Sequence, residues 1–419
     1  MDLAMNALTV RCCIAGGGPA GMMLGFLLAR AGIEVAVLEK HADFFRDFRG
    51  DTIHPSTLDV MYELGLLDDF LALPHDEIHE LAGILNDQPF RLANFDHVPT
   101  HCKFLALMPQ WDFLNFLAAH AKRYPTYHLL MEADVTDLLT NGARVTGVRA
   151  TTPQGPVEVS AEITIGADGR TSTVRDRAGL QVIDFGAPMD VLWMRLSRRS
   201  GDPPQTFGYI KDGSIFVMIG RKDYWQCGYV IPKGAFENIQ RNGLDAFHRS
   251  ISSTAPFLAD RMNEIDTWDT VKLLTVRVDR LEEWCREGLL CIGDAAHAMS
   301  PIGGVGINLA IQDAVATANL LYPHFAAGRV SLDDLRAVQR RRTFPTRMTQ
   351  SLQLFIQKRF ITGVLGSKTT PPAPGVLKLL QRFPVLRRLP AYVLGVGFRP
   401  ERVRTPDMQP ADRREVEVA

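Results

Sequence analysis

Two glycine-rich signatures, far apart in the chain, constrain this sequence more than any other feature. The first runs Ala15-Gly16-Gly17-Gly18-Pro19-Ala20-Gly21. The second runs Gly293-Asp294-Ala295-Ala296-His297 and continues through Pro301, Gly303 and Gly306 to Asn308. Glycines at such spacing let backbone approach a ligand closely. Two such loops in one chain point to one cofactor held at both ends by distant segments.

The first signature sits inside a complete strand–turn–helix–strand unit. Residues 7–15 read as a strand buried on both faces, because Leu8, Val10, Cys12, Cys13 and Ile14 leave almost no polar face. Residues 22–30 read as a helix stopped by Gly32, and residues 33–38 as a second strand ending at Glu39 and Lys40. This is the pattern of a dinucleotide-binding turn. Gly16 permits the tight turn, Gly18 opens the backbone to a pyrophosphate, and Gly21 brings the helix close to the strand. The helix start at Pro19 and Ala20 offers unpaired N–H groups and a positive dipole end. Glu39 is placed to accept hydrogen bonds from an adenosine ribose.

Two further patches converge on the same ligand. A strand over 157–165 leads into Gly166-Ala167-Asp168-Gly169, after an antiparallel excursion over 144–151. Gly288–Gly293 reads as another buried strand, which leaves Asp294 at a strand end, suited to a polyol such as ribitol. A helix is expected from Ile307 to Pro323, with its first N–H groups, at Ile307 and Asn308, left uncovered by the glycines before it.

These residues carry a family resemblance. The chain resembles the class A flavoprotein aromatic monooxygenases, the group of para-hydroxybenzoate hydroxylase and the ubiquinone-pathway hydroxylases, over roughly residues 8–345. The resemblance implies an α/β fold: a Rossmann-like FAD-binding domain of the para-hydroxybenzoate hydroxylase type with an inserted antiparallel-sheet substrate domain. It assigns 1–75, 106–180 and 276–345 to FAD binding and 76–105 and 181–275 to substrate; outside it, 346–404 read as a C-terminal helical region and 405–419 as a disordered tail. FAD is implied as cofactor, with NADPH or NADH as co-substrate, and hydroxylation through a flavin C4a-hydroperoxide. By position, Arg49 and Gln110 would reach the pyrophosphate or ribityl region and Asp168 would lie near the FAD. Asp294 would bind the ribityl chain, and the helix at Ile307–Asn308 would face the pyrimidine ring. A positive helix end there favours anionic reduced flavin.

Other classes fit less well. The 46 basic and 47 acidic residues balance, which gives no electrostatic footprint for nucleic acid. The six scattered cysteines read as small buried hydrophobes, and no metal cluster is expected. The apolar run at 22–31 is too short to span a bilayer, and no secretory signal is visible, so a cytoplasmic location is expected. Strand-like runs at 191–196, 214–219 and 226–231 suggest an antiparallel sheet over the flavin. On it Trp193, Arg195, Tyr209 and Trp225 would line an aromatic substrate pocket, with Tyr224 beside them. Asp51, His54 and His297 invite proton-carrying roles, although His297 reads as structural. Arg340-Arg341-Arg342 reads as a solvated helix face.

Residues 371–404 carry seven basic side chains and one acidic among regularly spaced apolar ones. Such a segment either packs over the substrate lobe or makes weak contact with a membrane surface. The partner expected is a small aromatic molecule, with the oligomeric state open. Alternative readings are an FAD-dependent reductase or dehydrogenase of a lipid or isoprenoid, and a non-catalytic flavin-fold binding protein. A halogenase lacks its W-x-W-x-I-P motif here.

Overall fold

The computed structural model describes residues 6–45, 52–202, 208–221, 223–367 and 374–408. Its first sheet has eight strands. Six follow the order Cys285–Arg286, Leu289–Cys291, Gly155–Gly166, Asn6–Ala15, Val35–Leu38 and Tyr127–Leu130, while Arg144–Thr152 and Asp134–Asn141 extend antiparallel from Gly155–Gly166. The pairings from Leu289–Cys291 through Tyr127–Leu130 are all parallel. Cys12, Cys13, Ile14, Val35 and Val37 have no measurable exposure, as near-continuous apolar runs in a sheet covered on both faces require.

Register decides what this sheet can do. Ala15 pairs with both Leu38 and Gly166, and Gly166 pairs with Cys291. Three expected patches and the end of the second strand therefore finish level at one carboxyl edge, where open parallel sheets bind ligands. The helix Pro19–Arg30 packs against the 22-residue helix Val305–Ala326, which joins the two signatures across the core.

A second sheet has seven strands in the order Lys272–Leu274, Met189–Ser197, Tyr224–Pro232, Ser214–Gly220, Gly208–Lys211, Glu80–Leu85 and Gln88–Asn94. Its sides differ by strand parity. Leu192, Met194, Phe216, Met218, Trp225 and Cys227 pack with Phe247 and Ile251 of the helix Leu244–Thr254. Met189, Val191, Trp193, Ile215 and Val217 face the opposite way, toward the cleft.

Several expectations are corrected. Pro323 does not end its helix, which continues to Ala326, where Ala327 N–H bonds to the Pro323 carbonyl. It begins at Val305 rather than Ile307. A single proline in the last turn leaves too few bonds unmade to stop it. The helix Leu332–Ile356 runs straight through residue 345, so no structural boundary falls there. Residues 405–408 are packed rather than loose: Arg30 donates to the Thr405 carbonyl at 2.9 Å, and Met408 N–H donates to the Arg30 carbonyl at 2.8 Å. The rest of that tail lies outside the described residues.

Arg342 is not solvated. It is 1% exposed and donates to Asp313 at 2.8 Å, while Arg341 donates to Glu401 at 2.6 Å. The C-terminal helices Gly375–Arg382 and Arg388–Gly395 pack on the strand Gln88–Asn94 of the second sheet.

Candidate flavin site

The glycines of the first signature divide their labour. A side chain on Gly16, whose φ is +107°, would sit 2.4 Å from the Ala167 carbonyl oxygen. One on Gly21 would sit 2.0 Å from the Gly16 oxygen, so Gly21 closes the turn against its helix and stays out of the cleft. Gly18 is different: nothing lies within 4 Å of where its Cβ would be. It faces the cleft as the N-cap of Pro19–Arg30, with no side-chain cap and no acid in the first turn. That is an anion cradle.

Glu39 is buried beside it and already holds the turn. One carboxylate oxygen accepts from Gly17 N–H at 3.0 Å and the other from His41 N–H at 3.1 Å. Gly17 is needed because a Cβ there would meet the Glu39 side chain at 2.8 Å. Lys40 and Gln110, the first residue of the helix Gln110–Ala121, line the same cleft. Arg49 and Asp51 lie outside the described residues.

Asp168 reaches the cleft but is committed locally, accepting from the Ser172 hydroxyl and from Val174 N–H. Burial pushes its carboxyl upward, against those hydrogen bonds. Two arginines complete this edge. Arg170 donates to Asp294 at 3.1 Å, and the buried Arg175 donates to the Arg170 carbonyl at 2.9 Å. Arg170 carries no motif signal of its own, although it follows Asp168-Gly169 directly. We expect Asp294→Ala to reduce FAD content by at least tenfold, read as flavin absorbance per chain. Unchanged content would remove Asp294 from the site.

The second signature repeats the logic. Gly304, with φ of +62°, caps the helix Val305–Ala326, and Gly306 in its first turn has nothing within 4 Å of a would-be Cβ. Pro301, Gly303, Gly306 and Ile307 all line the cleft. Gly303 is pressed by Leu394, whose Cδ2 would lie 2.7 Å from a Cβ.

Two members of the signature do other work. Gly293 packs away from the cleft, with a would-be Cβ 3.1 Å from Ala20 and 3.3 Å from Ala310. The Asn308 side chain is a buried staple: Oδ1 accepts from His54 N–H and the Thr57 hydroxyl, each at 2.8 Å, and Nδ2 donates to the Thr52 carbonyl at 3.0 Å.

Both histidines are structural in their surroundings. His297 meets Asp313 at 2.6 Å, and both are buried. His54 contacts the Leu394 carbonyl at 2.6 Å through Nδ1, and burial lowers its pKa to about 4 despite that bond. Its folded pKa thus lies below the unfolded 6.5, so folded His54 binds fewer protons. Its contribution is complete above pH 6.5 and is lost as pH falls to about 4, on the order of 3 kcal/mol. Denaturant midpoints across that window should fall more steeply for the parent than for His54→Gln. Equal slopes would contradict this. The six cysteines are all buried, and burial raises the Cys13 thiol to about 12, far from a reactive thiolate.

Of the four proposed pocket residues, the structure brings only Trp193 to the cleft, with its indole lying over Gly228. Tyr209 and Trp225 occupy the opposite parity and are buried in the core behind the sheet, where the Trp225 indole donates to Asp202 at 2.7 Å. Arg195 shares the parity of Trp193 but lies beyond the cleft, exposed, with its guanidinium 4.9 Å from the Tyr224 ring centroid.

The residues fit the cofactor their motifs imply. The two glycines of the signatures that open onto empty space, Gly18 and Gly306, stand at two uncapped helix N-termini in one cleft of about 1730 Å³. Comparisons agree. A family model described as FAD binding domain matches residues 9–351. A 6-methylpretetramide 4-monooxygenase of Streptomyces rimosus is 30% identical over 393 residues, covering 90% of this chain and 91% of that protein. Several other curated relatives are longer, this chain spanning 59–63% of them.

Two solved structures share the fold. The p-nitrophenol 4-monooxygenase PnpA of Pseudomonas putida has a TM-score of 0.78 at 19% identity, covering 95% of this chain and all (100%) of that one. The anhydrotetracycline hydroxylase OxyS of Streptomyces rimosus has a TM-score of 0.70 at 22% identity, covering 93% and 76%. The chain belongs to this FAD-binding family, the class A flavoprotein aromatic monooxygenases, and is an oxidoreductase that binds FAD and uses NAD(P)H and O2.

Proposed function

We propose that this enzyme hydroxylates a large, flat, largely apolar phenolic substrate of several fused rings. The observation that carries the reading is the size and lining of the cleft beyond the second glycine signature. At about 1730 Å³ the whole cleft exceeds the roughly 300–1,000 Å³ of a pocket for one ligand. It therefore has room for FAD and a sizeable second molecule. The far reach is walled by Leu81, Phe90, Val191, Trp193, Ile210 and Val217 from the second sheet. Trp193 offers a flat face for an aromatic ring. The names of two related proteins, a 6-methylpretetramide 4-monooxygenase and an anhydrotetracycline hydroxylase, support this size class.

In this reading the seven-stranded sheet is an inserted substrate domain and the C-terminal helices close its open side. Gly16–Ala20, Glu39, Lys40, Gln110, Asp168 and Arg170 hold the adenosine and pyrophosphate end. Asp294 holds the ribityl chain, and the start of Val305–Ala326 receives the ring system. FAD, when bound, supplies the hydride acceptance and oxygen activation. The chain's part is orientation and exclusion of water. The apolar walls dry the far reach, and the helix dipole at Val305–Ile307 favours negative charge beside it.

The test compares single-ring phenols with three- and four-ring phenols as stimulators of NAD(P)H oxidation under oxygen. Fused-ring substrates are expected to be hydroxylated with lower KM. Trp193→Ala should raise that KM by roughly tenfold while leaving FAD content intact. Single-ring phenols turning over equally well would contradict the proposal.

A further inference from the structure

From Leu335 to Pro400 the chain contains thirteen Lys and Arg and not one Asp or Glu. The same stretch holds most of the exposed large apolar side chains of the described residues. Val376, Val385 and Leu389 are 65–68% exposed, and Phe383 is 53% exposed. On the helix Leu332–Ile356, Phe344, Met348, Leu352 and Phe355 recur at intervals of three or four and are exposed, forming a stripe along one face. Leu352 and Phe355 also line the cleft, together with Val376, Leu379, Leu386 and Leu389. The stripe and the C-terminal helices therefore meet around the cleft's mouth.

Cations border this surface. Lys358, Arg359, Lys378, Arg382 and Arg388 are exposed, and the Arg382 guanidinium lies 6.0 Å from the Phe383 ring centroid. By contrast, the three arginines of this stretch that are drawn into the protein, Arg341, Arg342 and Arg387, have acids supplied from outside it: Glu401, Asp313 and Glu80.

The geometry points to a monotopic membrane-docking face: the C-terminal helices and the Phe344–Phe355 stripe lie on an anionic bilayer, with the cleft mouth toward the lipid. Charge selects the occupant. Exposed apolar groups interspersed with exposed cations, on a stretch of chain that contains no acid, match an interface of acyl chains below anionic headgroups. A second copy of the chain would bring like charge against like charge. The Tyr392 side chain suits the headgroup level, Phe383 the acyl boundary below it, and long Lys and Arg stems reach outward. Among the described residues no helix is long and apolar enough to cross a membrane, so the contact is with one leaflet. The docking does not rest on the substrate proposed above, and its test uses none.

The experiment floats the FAD-loaded protein with vesicles of phosphatidylcholine alone or mixed about equally with phosphatidylglycerol. Flotation is expected with the mixed vesicles only, and is weakened by salt. The triple change Lys378→Glu, Arg382→Glu, Arg388→Glu should weaken binding on the order of a hundredfold. Phe383→Ser with Val385→Ser should weaken it about tenfold or more, with the remaining binding more salt-sensitive. None of these residues lines the cleft, so flavin content and NAD(P)H oxidation in solution should match the parent. Equal flotation with neutral vesicles, no flotation with anionic ones, or variants that bind like the parent would each overturn the proposal. So would a dimer in solution that the same variants dissociate.

Discussion

Asp313→Ala is expected to destabilise the protein by about 3–5 kcal/mol, the range for breaking a buried ion pair from one side. Asp313 is fully buried and serves three partners: Arg342 at 2.8 Å, His297 at 2.6 Å and Gly293 N–H at 3.0 Å. Removing it leaves a guanidinium that is 1% exposed and, among the described residues, keeps a 3.4 Å contact to Glu401. Burial pushes the Asp313 carboxyl upward, but His297 and Arg342 outweigh burial and hold its pKa below the usual value. Its stabilising contribution is therefore complete above pH 4 and is lost as pH falls further. Because Gly293 opens the second signature, loss of Asp313 should also loosen FAD. The denaturant midpoint and flavin retention of Asp313→Ala, compared with Asp313→Asn, check this. An unfolding free energy within about 1 kcal/mol of the parent would show that the network is not structural.

Gly16→Ala should be nearly as severe, through a different cause. The new methyl would be forced into a backbone conformation at φ of +107° and into the Ala167 carbonyl at 2.4 Å. The obstacle is backbone just past the strand end at Gly166, and Ala167 is held there by its N–H donating to the Ala15 carbonyl at 2.8 Å. We expect loss of FAD uptake and destabilisation of at least about 2 kcal/mol. Gly65→Ala is the control, because its φ is also positive, at +70°, but nothing lies within 4 Å. If both variants behave alike, the close approach at Gly16 is not what the turn requires.

Local pattern made much of this molecule legible. The first strand–turn–helix, the excursion at 144–151 and three of the seven strands of the second sheet, at 191–196, 214–219 and 226–231, follow from runs of apolar residues and turn chemistry, which act over a few positions. What escaped was set by contact between distant positions. Arg342 reads as one of three surface arginines, yet it is buried because Asp313 and Glu401 stand behind it. Trp193 and Trp225 look equivalent as aromatic residues on strands. Only the helix packed behind the sheet decides that Trp225 is core and Trp193 faces the cleft. Asn308 carries the motif, but its amide is consumed by Thr52, His54 and Thr57, which come from the other end of the chain. Arg170 lay beside a recognised patch and became visible only through its bond to Asp294.

We propose that one FAD is held at both ends, by Gly18 at one helix start and Gly306 at another. Titration of apoprotein with FAD and with ADP, for the parent, Gly18→Val and Gly306→Val, tests it most directly. Gly18→Val should weaken both ligands by at least tenfold, since both carry the pyrophosphate. Gly306→Val should weaken FAD by a similar factor and leave ADP binding unchanged. A Gly306→Val protein that binds FAD as tightly as the parent would show that the second helix start does not hold the cofactor.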